Sequence, residues 1–208
     1  MVVPVFYSGG CVMCMERPKS RFGFCERCLD ALPFYGERIL SEREFPAYAL
    51  FGENKLSSKI IRGLKYRGEI FWADVLAEIA IDFLLARDLH RADVIAVVPI
   101  SPKKRRVRGF NPPERVARAI SDRLGMPLYA GLTLNRRVKD QIGLSAKERI
   151  KNVDRAFSAA PVRGRVLLID DTYTTGATMR NCARALEEAG AREVVGLACM
   201  KASVAYAE

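Results

Sequence analysis

The stretch Val166-Leu167-Leu168-Ile169-Asp170-Asp171-Thr172-Tyr173-Thr174-Thr175-Gly176-Ala177-Thr178 decides how this chain is read. Its four leading apolar residues describe a strand buried on both faces, as in a parallel sheet. A turn follows, and then a helix over 177–189 that buries Met179, Cys182, Ala183 and Leu186. In sheets of this kind ligands sit at the carboxyl ends of strands. Thr174, Thr175, Gly176 and Thr178 offer backbone N–H groups and hydroxyls around a helix N-terminus, where the dipole favours a phosphate. Asp170 and Asp171 would repel that phosphate unless they accept hydrogen bonds from sugar hydroxyls of the same ligand. A ribose 5-phosphate meets both demands. The simpler account has Asp171 or Thr174 cap the helix beside a solvated acidic pair, but capping needs only one such residue. Neither a Gly-Lys-Ser/Thr phosphate loop nor a Gly-x-Gly-x-x-Gly turn is present, which removes the main support for ATPase and dinucleotide readings.

Outward from this stretch, Val94-Ile95-Ala96-Val97-Val98, closed by Pro99, reads as a second buried strand, and Val194 to Ala198 as a last one. Trp72, Val75, Leu76, Ile79 and Phe83 have helical spacing. Asn111 is placed to cap a helix with Pro112 at its first position, Glu114 reaching back, Val116, Ala117, Ile120 and Leu124 inward, and Gly125 as terminator. A strand is expected near 128–134 and a long basic loop over 136–155. The alternation implies an α/β fold, with a mainly parallel sheet flanked by helices.

After the Val94 strand comes Ser101-Pro102-Lys103-Lys104-Arg105-Arg106-Val107-Arg108, with five cations in six residues. Such runs are often only a solvated face, but the position after a strand's carboxyl end marks an anion or nucleic-acid contact. The whole chain carries a formal charge of +10 over 208 residues, half of them apolar. It is therefore suited to a folded core and to polyanionic partners. Phe110, Phe157 and Tyr173 are candidates to stack on the bases of a single strand. One histidine, His90, leaves little room for serine triads or His-rich metallohydrolase sites.

The head is rich in cysteine. Cys11-x-x-Cys14 and Cys25-x-x-Cys28 form two knuckles whose sulfurs suit a closed, structural tetrahedral Zn²⁺ site. Redox dithiols or disulfides are the alternative. Cys182 and Cys199 read as buried thiols. The start of the chain shows no signal peptide, and no apolar run approaches the roughly 18 residues of a membrane span. A cytoplasmic protein without membrane insertion is expected.

The Asp170–Thr178 stretch resembles the phosphoribosyl pyrophosphate (PRPP) motif of type I phosphoribosyltransferases. That resemblance implies that Asp170 and Asp171 bind the ribose hydroxyls and that Thr174, Thr175, Gly176, Ala177 and Thr178 bind the 5-phosphate, with Thr172 and Tyr173 part of the same PRPP-binding stretch. It also implies Mg²⁺ bridging ribose and pyrophosphate oxygens. Ser101, Lys103, Lys104, Arg105, Arg106 and Arg108 would then form the pyrophosphate loop, or a contact for DNA. Where purine-salvage members usually have an aspartate for the base proton, this chain has Thr174. Together with the paired cysteines, Leu64-Lys65-Tyr66-x-Gly68, Arg108-Gly109-Phe110-Asn111, Gln141-x-x-Leu144, Arg149, Asn152 and Ala156-Phe157, the chain resembles the ComF (competence protein F) family; Pro112 departs from the family's usual Gln. The resemblance implies a four-cysteine zinc module over 1–48 and a phosphoribosyltransferase-like domain over 49–208. It further implies a role in handling single-stranded DNA during natural transformation, beside a competence helicase. The alternatives are an active Mg-dependent phosphoribosyltransferase with an unidentified acceptor, outside DNA uptake, and a PRPP sensor that regulates a partner.

Overall fold

A computed structural model describes residues 10–16, 22–40, 45–135 and 156–203. In chain order they form α1 (Glu26–Asp30), β1 (Ala47–Gly52), α2 (Lys55–Tyr66), α3 (Phe71–Ala86), β2 (Val94–Val97), α4 (Pro102–Arg108) and α5 (Pro112–Leu124). There follow β3 (Leu128–Tyr129), β4 (Leu132–Leu134), β5 (Phe157–Ala159), β6 (Arg165–Tyr173), α6 (Ala177–Glu188) and β7 (Glu193–Lys201). The expected basic loop over 136–155 lies outside the described residues.

Five strands make a parallel sheet in the order β1-β7-β6-β2-β3, and β4 pairs with β5 antiparallel beside it. The strand expected over 128–134 is thus split: β3 joins the main sheet and Leu132 opens the small one. Strand residues alternate between two cores, as a period of two requires. Ile95, Leu167, Ile169, Val195 and Leu197 pack with Ile60, Leu64, Trp72 and Leu76 of α2 and α3. Ala96, Val166, Leu168, Val194 and Ala198 pack with Met179, Cys182 and Leu186 of α6. Burying each large side chain stabilises the fold by about 1.5–3 kcal/mol, and both sides of the sheet are covered by helices. The expected α/β class, with a parallel sheet flanked by helices, is what the chain adopts.

The head joins the first of these cores. Phe24 stacks on Trp72 at 6.2 Å, both almost fully buried. Residues 33–39 run along the outer side of β1: Gly52 donates to the Pro33 carbonyl, Tyr35 to Leu50 and Ile39 to Ala47. This closes an edge that would otherwise be open for pairing.

Helix α5 starts at Asn111, but not by the expected cap. Asn111 makes no side-chain cap bond; its amide donates instead to the Val98 carbonyl at 3.0 Å. Pro113 has no N–H to offer a capping oxygen, and Glu114 turns to Arg105 and Arg118 rather than back to Asn111.

Candidate functional site at the ends of β2 and β6

Strand β6 continues beyond the apolar run through Asp170, Asp171, Thr172 and Tyr173, because its ladder with β7 persists to Tyr173 opposite Lys201. The turn therefore begins four residues later than the sequence suggests. One consequence concerns the two carboxylates. On a pleated strand successive side chains point to opposite faces, so Asp171 shares the side of Leu167 and Ile169 while Asp170 shares that of Val166 and Leu168.

Asp171 is met by Lys65 of α2. The ammonium lies 2.6 Å from the carboxylate and also donates to the Thr172 hydroxyl at 2.8 Å, with both charged side chains largely buried. Asp170 accepts the backbone N–H of Asp171 at 2.8 Å. Burial first, and the Asp171 charge second, push its carboxyl up to about 7; the cations Lys65 and Lys104 pull the other way. The field of α4 thus reaches the carboxylates. Beneath them, Cys182 and Cys199 are buried thiols, as expected, and burial raises both further above the usual range.

After Tyr173 the chain turns through Thr174 and Thr175 to Gly176, whose φ of 78° is left-handed. A side chain there would also collide with the ring of Tyr173, so only glycine passes this point without strain. Arg180 steadies the turn by donating to the Thr175 carbonyl at 2.6 Å, and the Thr175 hydroxyl accepts from the Ala177 N–H at 3.5 Å. Thr174 is exposed, Thr175 and Thr178 are half-buried, and all lie at the N-terminus of the twelve-residue α6. The loop therefore presents hydroxyls at a positive dipole end.

The basic run after β2 is helical rather than a loop. Ser101 caps α4 by accepting from the Lys104 N–H at 3.3 Å, Pro102 takes the first turn, and Gly109, at φ 77°, stops it. None of its residues is buried. β2 and β6 are neighbours with Val97 opposite Ile169, so α4 and the Asp170–Thr178 turn leave the same end of the sheet. Arg105 pairs with Glu114 at 3.5 Å, and Arg108 donates to the Tyr66 hydroxyl at 3.1 Å with its guanidinium 5.0 Å from that ring. Lys65 and Tyr66 were visible only as part of a family-like string, with no role attached; their place in the site comes from the fold.

Of the aromatics expected to stack on bases, Phe157 and Tyr173 are buried, 8% and 7% exposed, and Phe110 lies half-buried under Arg115. They are core residues. Tyr66, 67% exposed, is the aromatic that faces outward here.

In the head the four cysteine sulfurs lie within 4.8 Å of one another, Cys14 and Cys25 at 3.6 Å, and all are free thiols. Tetrahedral zinc with S ligands at about 2.3 Å requires sulfurs about 3.8 Å apart, so the cluster can hold such an ion. Its electrostatics fit the same role. Burial disfavours the Cys11 thiolate, but N–H groups of Cys14, Cys25 and Met13 outweigh it and lower the thiol to about 6. Burial and the three other sulfurs raise Cys28 to about 12. Four thiolates are tolerated together only around a cation.

No protein-family model matches the chain. Over 208 aligned residues it is 30% identical to competence protein F of Haemophilus influenzae, covering 90% of this chain and 88% of that protein. The chain belongs to the competence protein F family. Competence protein ComFC of Streptococcus pneumoniae is 29% identical over 150 residues, 70% of this chain and 64% of its own length. Among solved structures, the glutamine PRPP amidotransferase of B. subtilis is similar at 28% identity, with a TM-score of 0.38, over 72% of this chain and 28% of that one. Orotate phosphoribosyltransferase from Aeropyrum pernix is similar at 24% identity, with a TM-score of 0.34, over 59% of this chain and 56% of that one. The competence relationship thus rests on nearly the whole chain. No helix among the described residues is long and apolar enough to cross a membrane.

Proposed function

We propose that this competence-related, phosphoribosyltransferase-like protein binds PRPP with Mg²⁺ at the end of β6 and serves the handling of single-stranded DNA in the cytoplasm, beside a competence helicase. The observation that carries the reading is the convergence of Asp170, Asp171, the Thr174–Thr178 turn and the cationic α4 at one end of a parallel sheet. Thr174, Thr175 and Thr178 hold the 5-phosphate at the positive end of α6. Asp170 and Asp171 accept the ribose hydroxyls. Ser101, Lys103, Lys104, Arg105, Arg106 and Arg108 take the pyrophosphate, whose charge Mg²⁺ partly neutralises. Residues 1–48 act as a zinc module with Cys11, Cys14, Cys25 and Cys28 as ligands, and 49–208 as the PRPP-binding domain.

Calorimetric titration with PRPP and MgCl2 tests this directly. The wild-type protein is expected to show saturable one-to-one binding, and the Asp170→Ala/Asp171→Ala variant to bind at least tenfold more weakly. A wild-type protein that takes up no PRPP would overturn the reading.

A further inference from the structure

Helix α2 has two working faces. Inward, Ile60, Ile61 and Leu64 enter the core and Lys65 reaches Asp171. Outward, Lys55, Lys59, Arg62 and Tyr66 are all exposed or half-exposed. Their spacing of four, three and four residues keeps them within one narrow stripe. From Lys55 to Tyr66 the stripe runs about 16 Å at 1.5 Å per residue. Lys55, Lys59 and Arg62, with Arg67 and the single carboxylate of Glu53, also line a shallow groove of about 440 Å³. At its far end the stripe does not stop: Tyr66 is in contact with Arg108 through its hydroxyl and its ring. This carries it onto α4, a helix with no buried residue and five cations.

We propose that the outer face of α2, continued through Tyr66 onto α4, is a track for a single strand of nucleic acid, separate from the sugar-phosphate turn at the end of β6. The inference rests on the DNA-handling reading above and gives that strand a place. Three features select this partner. Cations spaced along a line match a phosphate backbone, whereas a compact anion needs them converging on a point. An exposed aromatic in the middle of the line, already flanked by a guanidinium, offers a stacking surface to an unpaired base. A base within a duplex is already stacked on both sides, so the aromatic serves a single strand. Lys65, the cation of α2 committed to the carboxylates, is largely buried against Asp171 and so lies outside the exposed stripe.

The test is fluorescence-anisotropy titration of the full-length protein with a labelled oligothymidylate of about 20 nucleotides over a range of salt, a length that exceeds one site. Lys59→Glu/Arg62→Glu is expected to weaken binding at least tenfold and to reduce the log–log salt slope by about one to two. Tyr66→Ala should weaken binding at least fivefold with the slope unchanged. Arg163→Glu/Arg192→Glu, which makes the same charge change at the opposite end of the sheet, controls for bulk charge and should cost less than threefold. Saturating PRPP with Mg²⁺, whose pyrophosphate takes up the α4 end of the track, should weaken oligonucleotide binding without abolishing it, and the loss caused by Lys59→Glu/Arg62→Glu should persist. If the wild type binds but the α2 variants match the opposite-end control, or if saturating PRPP abolishes strand binding altogether, the track is wrong while the DNA reading stands. If the wild type binds no oligonucleotide, both fall. Circular dichroism of each variant confirms that the fold is retained.

Discussion

In the head, Cys11 and Cys14, and Cys25 and Cys28, each stand three positions apart, and all four sulfurs meet within 4.8 Å. At the end of β6, Thr172 is met by Lys65, 107 positions earlier in the chain. Both regions gather charge, but the first does so by local geometry and the second only through the sheet. A two-residue spacer brings a pair of sulfurs together in any context that permits the turn. Lys65 reaches Asp171 only because α2 packs on the side of the sheet to which odd-numbered β6 residues point. The cysteine cluster therefore needs only its own short loops to assemble, whereas the β6 site depends on the integrity of the α/β core.

Metal removal separates the two regions most sharply. Structural zinc contributes about 10–16 kcal/mol of apparent binding free energy in small finger peptides. Trp72, the only tryptophan, lies against Phe24 of the head. Stripping the metal with a chelator is expected to red-shift Trp72 emission and to speed amide exchange in residues 10–16 and 22–40, while β6 and β7 stay protected. Emission and exchange that ignore complete zinc loss would mean that the head is held by packing, like the rest of the molecule.

The next effect belongs to the core site. Replacing Lys65 by Met leaves the buried Asp171 carboxylate without its counter-ion, which costs about 3–5 kcal/mol for pairs of this kind. Urea denaturation should show that loss, and the double variant Lys65→Met/Asp171→Asn should recover much of it. A loss below about 0.5 kcal/mol would place the pair among solvated surface contacts.

A smaller effect follows from Asp170. Its carboxyl rises from 3.8 to about 7 on folding, so between these values the folded chain keeps a proton that the unfolded chain has released. Its stabilising contribution is complete at low pH and is lost as pH rises through about 7. Melting temperatures of wild type and Asp170→Asn across this window should differ by a curve that declines with pH for the wild type. A flat difference would show that Asp170 is solvated and ordinary.

The same contrast explains what could be read from sequence. β2 and the first half of β6 were legible because continuous apolar runs suit strands buried on both faces. The second half of β6 was not, since Asp170, Asp171 and Thr172 interrupt the run while their backbone still pairs with β7. β1 was missed: Ala47-Tyr48-Ala49-Leu50-Phe51-Gly52 ends in glycine and carries little β-branched character. α4 was read as a basic loop because five cations leave no apolar face, although Ser101, Pro102 and Gly109 are start and stop signals for a helix. The cysteine cluster was fully legible, its information being local. Lys65 was not, for its partner is chosen by topology.

Strand order has one more consequence, in the time domain. β7, last of the five in the chain, lies between β1 and β6. During vectorial synthesis β1 and β6 both emerge before the strand that joins them, and each presents an unpaired inner edge until Lys201 is available. The four-cysteine cluster can come together early from its own short loops. The sheet cannot close until the last of its strands in chain order has been made. Cutting the chain before Glu193 would remove one strand from the sequence but open two seams in the molecule, and the Lys65–Asp171 contact lies directly above one of them.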